Sequence, residues 1–175
     1  LDVVYLIPPG RRGKEPGPRE VVLDGMANTL RALRQAPVRR AVMASSTAVY
    51  GGKNNRRVDA DSPPETTEPR GQLLIQGEQL WLDATHDTRV VRFAGLYGPG
   101  RVIGQTMLRE RAPLVGDPDS KLNLLHRDDA VSLLLAMLAP ETAGLVEVGC
   151  DSSAASPTSA SPSWPSGWAW TRRTS

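Results

Sequence analysis

Short apolar segments separated by helix-length stretches constrain the fold of this chain more than any other feature. Four segments have the length of buried strands: residues 3–7, 38–44, 89–94 and 145–148. The apolar residues between the first two recur at steps of three and four, which predicts an amphipathic helix from Pro18 to Gln35. Other helical patterns follow at about 71–83, weakly at 102–111, and at 128–138. Strands that alternate with helices form parallel sheets with right-handed crossovers, so the sequence predicts an α/β fold.

The composition excludes several classes of function. The 21 basic and 19 acidic residues leave a net charge of only +2, so we expect no nucleic-acid partner. No apolar run approaches the roughly 20 residues that span a bilayer, so we expect no membrane partner. Cys150 is the one cysteine and there are two histidines, which argues against a disulfide and against a metal site. We therefore expect a cytoplasmic domain that acts on a small molecule.

The last 25 residues, 151–175, differ in composition from the rest of the chain. Eight are serine and three are proline, and there is no Leu, Ile, Val or Met among them. Such a segment cannot bury enough apolar surface to offset the entropy lost on ordering. We expect residues 1–150 to form the folded domain, and residues 151–175 to be a disordered tail or an out-of-frame translation of the true end.

Residues 44–51, ASSTAVYG, follow the second apolar segment directly. Their hydroxyl side chains are therefore expected at the carboxyl end of a buried strand. Open α/β sheets bind their ligands at this end of the strands. The sequence thus predicts a ligand site around Ser45, Ser46 and Thr47.

Three segments, in this order, resemble one known family: residues 42–51, 91–101 and 123–130. The family is the extended short-chain dehydrogenases/reductases, in the NAD-dependent epimerase/dehydratase group, and within it the atypical YeeZ-like branch. The resemblance covers about residues 1–150. It implies a partial Rossmann-type, doubly wound parallel sheet with flanking helices that lacks its first strands. It also implies NAD or NADP as cofactor and a nucleotide-sugar or similar polar substrate.

The resemblance assigns one catalytic role, to Ser46, whose hydroxyl would hydrogen-bond the reacting oxygen of the substrate. A hydroxyl suits that role because it both donates and accepts. The alternative is that Ser45 and Ser46 only cap the strand end and bond to backbone. By the same resemblance, the residues that would contact the dinucleotide are Ile7, Pro8, Pro9, Ala44, Ser45, Phe93, Ala94, Gly95 and Leu96. Pro8 and Pro9 are equally explained as a strand terminator.

The Tyr-x-x-x-Lys pair that carries proton transfer in this family is missing. Counted back from Glu78, which resembles the family's glutamate on that helix, its two places fall at Arg70 and Leu74. Neither side chain can transfer a proton. We interpret Glu78 itself as a solvated side chain. His126 and Asp128 are interpreted as structural, with Asp128 capping the last helix and His126 bonding nearby backbone, although a catalytic histidine remains possible.

The glycine-rich turn that holds the pyrophosphate in this fold is also absent from the sequence. Since Leu1 falls in what looks like the family's fourth strand, we expect the first half of the fold to be lost and an apolar sheet edge and face to be exposed. We then expect weak or no cofactor binding. Three functions remain open: an epimerase/dehydratase or reductase, a non-catalytic dinucleotide sensor, and an inactive fragment.

Overall fold

The computed structural model describes residues 1–6, 17–51, 57–84, 87–101 and 122–152. Six strands lie in these ranges: β1 (Asp2–Tyr5), β2 (Arg40–Ser46), β3 (Asp87–Phe93), β4 (Gly95–Tyr97), β5 (Leu124–His126) and β6 (Val146–Gly149). Four of them form a fully parallel sheet in the order β1-β2-β3-β6. The other two, β4 and β5, form a separate parallel pair. The predicted α/β class is confirmed.

The helices lie close to their predicted positions. They are a π-helical turn (Glu20–Asp24) that leads into α1 (Gly25–Leu33), a 3-10 helix (Thr47–Tyr50), α2 (Pro69–Leu82) and α3 (Arg127–Leu138). The sequence did not predict β4 and β5, because strands of three residues are too short to show an alternating pattern. The weak helical pattern at 102–111 and residues 153–175 of the tail lie outside the described residues, so both remain predictions.

Alternating side chains of β2 and β3 build a separate apolar core on each face of the sheet. On one face, Val42 and Val91 pack with Met137 of α3. On the other face, Met43 and Val90 pack with side chains of α1 and α2. Because successive residues of a strand point to opposite faces, a strand covered on both sides must be apolar throughout. This explains why the centres of β2 and β3 are consecutive apolar residues and do not alternate with polar ones.

Buried arginines tie α3 to the amino ends of the strands. Arg40 donates to Asp87 at 2.7 Å and to the backbone carbonyl of Ala139, just past the end of α3. Arg89 also donates to Asp87, at 3.2 Å. Burial alone would raise the pKa of Asp87, but the hydrogen bonds and charges of the two arginines outweigh it, and the pKa lies below its usual value. This cluster sits at the end of the sheet opposite Ser46.

An apolar edge is exposed in the described part of the chain, as expected. There β1 pairs with β2 alone, and Val4 and Leu6 are exposed. Val4 is in register with Val42, so it lies on the sheet face that α3 covers. Val131 and Leu135, on α3 itself, are exposed as well. Within the same ranges, none of the helices has the length and apolar character needed to cross a membrane.

We predict opposite effects from removing two tyrosine hydroxyls. The Tyr5 hydroxyl is buried and has no hydrogen-bond partner among the described residues, whereas the Tyr97 hydroxyl donates to Asp151 at 3.0 Å. Tyr5→Phe should leave the free energy of unfolding unchanged or raise it by about 1–2 kcal/mol, and Tyr97→Phe should lower it by about 1–3 kcal/mol. Urea denaturation measures both. Equal losses in the two variants would contradict a Tyr5 hydroxyl that is buried without a hydrogen-bond partner.

Candidate functional site at the carboxyl end of β2

Ser46 ends β2, a strand that lies between β1 and β3 in the sheet. It has extended backbone angles and caps the 3-10 helix, since its Oγ accepts a hydrogen bond from the Ala48 N–H at 3.3 Å. Its register partner on β3 is Phe93, which is paired in turn with Gly149 of β6. The side chain is half-buried at the carboxyl edge of three parallel strands. Ser46 therefore lies where this fold class binds ligands.

Ser45 points the other way and belongs to a buried polar cluster. Its hydroxyl donates to Oε1 of Glu78 on α2 at 2.5 Å. Arg92, the register partner of Ser45 on β3, donates to both carboxylate oxygens of Glu78 at 2.8–3.2 Å. The capping alternative assumed that the Ser45 hydroxyl bonds to the backbone. It bonds instead to the side chain of Glu78.

The interpretation of Glu78 as a solvated side chain is wrong. Glu78 is only 3% exposed. Its carboxylate can be buried because a bidentate arginine and a hydroxyl satisfy it. The sequence did carry a signal, since Glu78 lies four residues after Leu74 and three before Trp81, and both are buried. A charged residue within an apolar helical stripe indicates a partner inside the fold.

Tyr50 extends the cluster to the end of the 3-10 helix. Its hydroxyl accepts from Nη1 of Arg92 at 2.7 Å and donates to the backbone carbonyl of Asp59 at 2.7 Å. The guanidinium also lies 5.0 Å from the centre of the phenol ring. Burial raises the pKa of Tyr50, and the opposing effect of Arg92 only partly offsets it. The phenol therefore stays protonated near neutral pH and does not replace the missing catalytic tyrosine.

The two places of the missing Tyr-x-x-x-Lys pair are occupied by groups that cannot transfer a proton. Arg70 is exposed in the first turn of α2, and Leu74 is buried one turn later. Between them, Gly71 lies against the 3-10 helix so closely that a Cβ there would be 2.7 Å from the Ala48 carbonyl oxygen. The family resemblance places the proton donor on α2. This helix packs against the 3-10 helix that follows Ser46, but neither of its two expected positions carries a group that transfers a proton.

Apart from Ser45, which is buried and bonded to Glu78, the predicted cofactor contacts fall into three groups. Phe93 and Ala94 are buried in the core on the α3 side of the sheet. Three residues are half-buried near the carboxyl edge: Ala44, Gly95 and Leu96. The backbone N–H groups of Ala94 and Gly95 already donate to the carbonyls of Gly149 and Asn123. The remaining three, Ile7, Pro8 and Pro9, lie outside the described residues. Cofactor binding by all of these residues remains a prediction.

His126, and not Asp128, caps the last helix. Nδ1 of His126 accepts from the Asp128 N–H at 3.3 Å, and Asp128 itself lies in the first turn of α3. The prediction of an Asp128 cap is therefore wrong by two residues, whereas the expected bond from His126 to nearby backbone is confirmed. The structure has this cap at the histidine because β5 runs directly into the helix, which leaves no linker before Asp128.

Tyr97 and Asp151 form a second polar contact that the sequence did not indicate. Burial and the Asp151 carboxylate raise the pKa of Tyr97 to about 12. Burial also raises the pKa of Asp151, although the bonds from Tyr97 and from the His126 backbone N–H act against it. The contact joins the chain after β6 to the small β4–β5 sheet. In the ranges described, no three His, Cys, Asp or Glu side chains are grouped to hold a metal ion.

The close packing at Gly71 gives a test of this arrangement. Gly71→Ala should lower the free energy of unfolding by about 1–3 kcal/mol, because the new methyl group meets backbone at the Ala48 carbonyl. Gly25→Ala is the matched control, since its Cβ would have only ordinary contacts. It should raise stability by about 0.5–1 kcal/mol. Chemical denaturation of both variants measures this, and a neutral Gly71→Ala would show that α2 does not pack on the 3-10 helix.

Comparison with known proteins agrees with the geometry. Residues 17–149 match the NAD dependent epimerase/dehydratase family. Protein YeeZ of Escherichia coli (strain K12) is 29% identical over 150 residues, which cover 82% of this chain and 50% of YeeZ. An uncharacterized protein of Mycobacterium tuberculosis, Rv0501, is 27% identical over 153 residues, or 81% of this chain and 41% of that protein. The chain thus spans about half the length of the curated relatives it matches, or less.

Solved structures give the same fold. MoeE5, in complex with UDP-glucuronic acid and NAD, superimposes with a TM-score of 0.74 at 26% identity, over 90% of this chain and 58% of MoeE5. The UDP-glucuronic acid 4-epimerase from Bacillus cereus, at 20% identity, has a TM-score of 0.74 over 91% of this chain and 57% of its own. These likenesses confirm the Rossmann-type sheet expected from the sequence. The chain belongs to the NAD-dependent epimerase/dehydratase family.

Proposed function

We propose that this chain acts in a cytoplasmic, NAD(P)-binding protein of the epimerase/dehydratase type. The observation that carries the proposal is the half-buried Ser46 hydroxyl at the carboxyl end of an interior strand. The substrate class would be a nucleotide-sugar or a similar polar molecule. This chain superimposes on 58% of MoeE5, which was solved with UDP-glucuronic acid and NAD, and this supports the choice of substrate class.

The hydrogen bond made by Ser46 leaves its own proton available. Its Oγ accepts from the Ala48 N–H, so one lone pair is engaged and the O–H group can donate to an incoming ligand. A donor aimed at a carbonyl or alkoxide oxygen stabilises negative charge that develops there. Ser46 would therefore bind the oxygen of the substrate at the carbon where reaction takes place.

The residues near this edge fit the nicotinamide end of a dinucleotide. Ala44 and Gly95 are small, and Leu96 is apolar; all three are half-buried, so a flat ring could approach the backbone closely. A bound nicotinamide would supply or accept a hydride. The contribution of this chain would be to hold the substrate oxygen at Ser46 and to exclude water with the apolar side chains of the neighbouring strands.

A non-catalytic dinucleotide sensor is the second candidate. The observation that favours it is the replacement of both proton-transfer positions on α2, by the exposed Arg70 and the buried Leu74. Without a proton donor on that helix, a bound dinucleotide could still change the surface that the protein presents to a partner. Both candidates use the same edge of the sheet, and they differ in whether substrate is turned over.

Ser46→Ala separates the two candidates. In the protein as the organism makes it, with UDP-glucuronic acid and NAD as probes, the variant should lower kcat by about 10²–10³-fold, since a donor to developing charge is lost. Ser132→Ala, on the exposed face of α3, is the matched control and should change nothing. Product formation is followed by NMR. A kcat that is unchanged in Ser46→Ala contradicts the catalytic role of Ser46, and dinucleotide binding without any turnover in the unaltered protein supports the sensor.

A further inference from the structure

We infer that Glu78 and Arg92 are positioning residues, which fix Ser46 by holding the chain on both sides of it. The catalytic consequence rests on the proposed function, whereas the positioning itself does not. Ser46 stands one residue after Ser45 and four before Tyr50, and both of these neighbours are bonded to the same buried ion pair. The serine is thus the first residue of a short segment that is anchored at its two ends.

The first anchor acts on the strand before Ser46. Ser45 donates to Oε1 of Glu78, and the carboxylate is held in turn by Nε and Nη2 of Arg92. Because Ser45 and Arg92 are register partners on neighbouring strands, their side chains leave the sheet on the same face. Glu78 reaches them from α2 and fixes the Ser45 side chain. The next residue, Ser46, must then point to the opposite face.

The second anchor acts on the end of the 3-10 helix. Nη1 of Arg92 donates to the Tyr50 hydroxyl, and the phenol ring lies beneath the guanidinium. A single arginine therefore links the last residue of the 3-10 helix to the carboxylate that holds Ser45. Between the anchors, the Ala48 carbonyl lies against Gly71. The N–H of Ala48, which bonds to the Ser46 hydroxyl, is thereby kept in place.

Stability alone is a poor explanation for this cluster. Burying two charges costs several kcal/mol per ion, and an apolar replacement of similar volume is often equally stable. What the ion pair adds is direction, because a bidentate arginine accepts only one arrangement of its partners. The ion pair holds Ser45, which directly precedes the predicted catalytic Ser46. Fixing the direction of Ser45 therefore fixes the direction of Ser46. A second carboxylate–arginine cluster lies at the far end of β3, where the exposed Asp87 pairs with the buried Arg40 and Arg89, and it provides the control.

The rotamer of Ser46 tests the positioning directly in this chain. In the unaltered protein, the Hα–Hβ couplings of Ser46 should be those of a single staggered rotamer. Glu78→Gln should change them to averaged values, because Arg92 and Ser45 lose their common charged partner. Asp87→Asn, which breaks the other cluster, should leave them unchanged.

If Glu78→Gln is not folded, Tyr50→Phe removes only the second anchor and should give a smaller change of the same kind. Unchanged couplings in a folded Glu78→Gln or in Tyr50→Phe overturn the inference.

Kinetics give the second arm of the test. In the protein as the organism makes it, Glu78→Gln should lower kcat for UDP-glucuronic acid at least tenfold while its KM stays within a factor of two. The same substitution in a Ser46→Ala background should have no further effect, because its action passes through Ser46. An equal loss in both backgrounds indicates a merely structural role and contradicts the inference. If the unaltered protein shows no turnover, the proposed function fails, and the rotamer measurement still decides the positioning.

Discussion

The buried ion pair between Glu78 and Arg92 is the constraint on which the described site depends. It connects α2, β3, the end of β2 and the 3-10 helix, because Ser45 and Tyr50 are both bonded to it. A pair buried this deeply is tolerated only if its remaining donors and acceptors are satisfied, and these two hydroxyls meet that need. The same bonds that make the pair acceptable also define the path of the chain around Ser46.

Two adjacent serines serve opposite purposes because a strand alternates its side chains. Ser45 points into the core and ties β2 to α2, whereas Ser46 remains half-buried at the carboxyl edge. A shift of one residue in register would exchange them and would place the Glu78 contact at the wrong serine. The parallel sheet, with an apolar core on each face, makes that shift costly. The fold therefore selects which of the two hydroxyls stays accessible at the carboxyl edge.

The longer strands and helices could be predicted from the sequence, whereas β4, β5 and the polar contacts between the elements could not. The long strands and α1, α2 and α3 have clear periodicity, and residues 44–51 follow a buried strand. Glu78 was misassigned because a charged residue on a helix is usually solvated, and only the tertiary position of Arg92 accounts for its burial. The His126 cap was missed for a related reason, since a strand that enters a helix without a linker leaves no separate capping residue.

Only part of the residue pattern that the family resemblance implies is present in this chain. The serine and its supporting cluster are present, whereas α2 has Arg70 and Leu74 where a proton donor and its lysine are expected. An NMR titration of the amide signals, with NAD and UDP-glucuronic acid at millimolar concentration, tests the location of the site most directly. The account predicts shifts at Ser46, Ala48, Gly95 and Leu96, with none on the outer face of α3 at Val131 and Ser132. Shifts on α3 that are absent from the carboxyl edge of the sheet would contradict it.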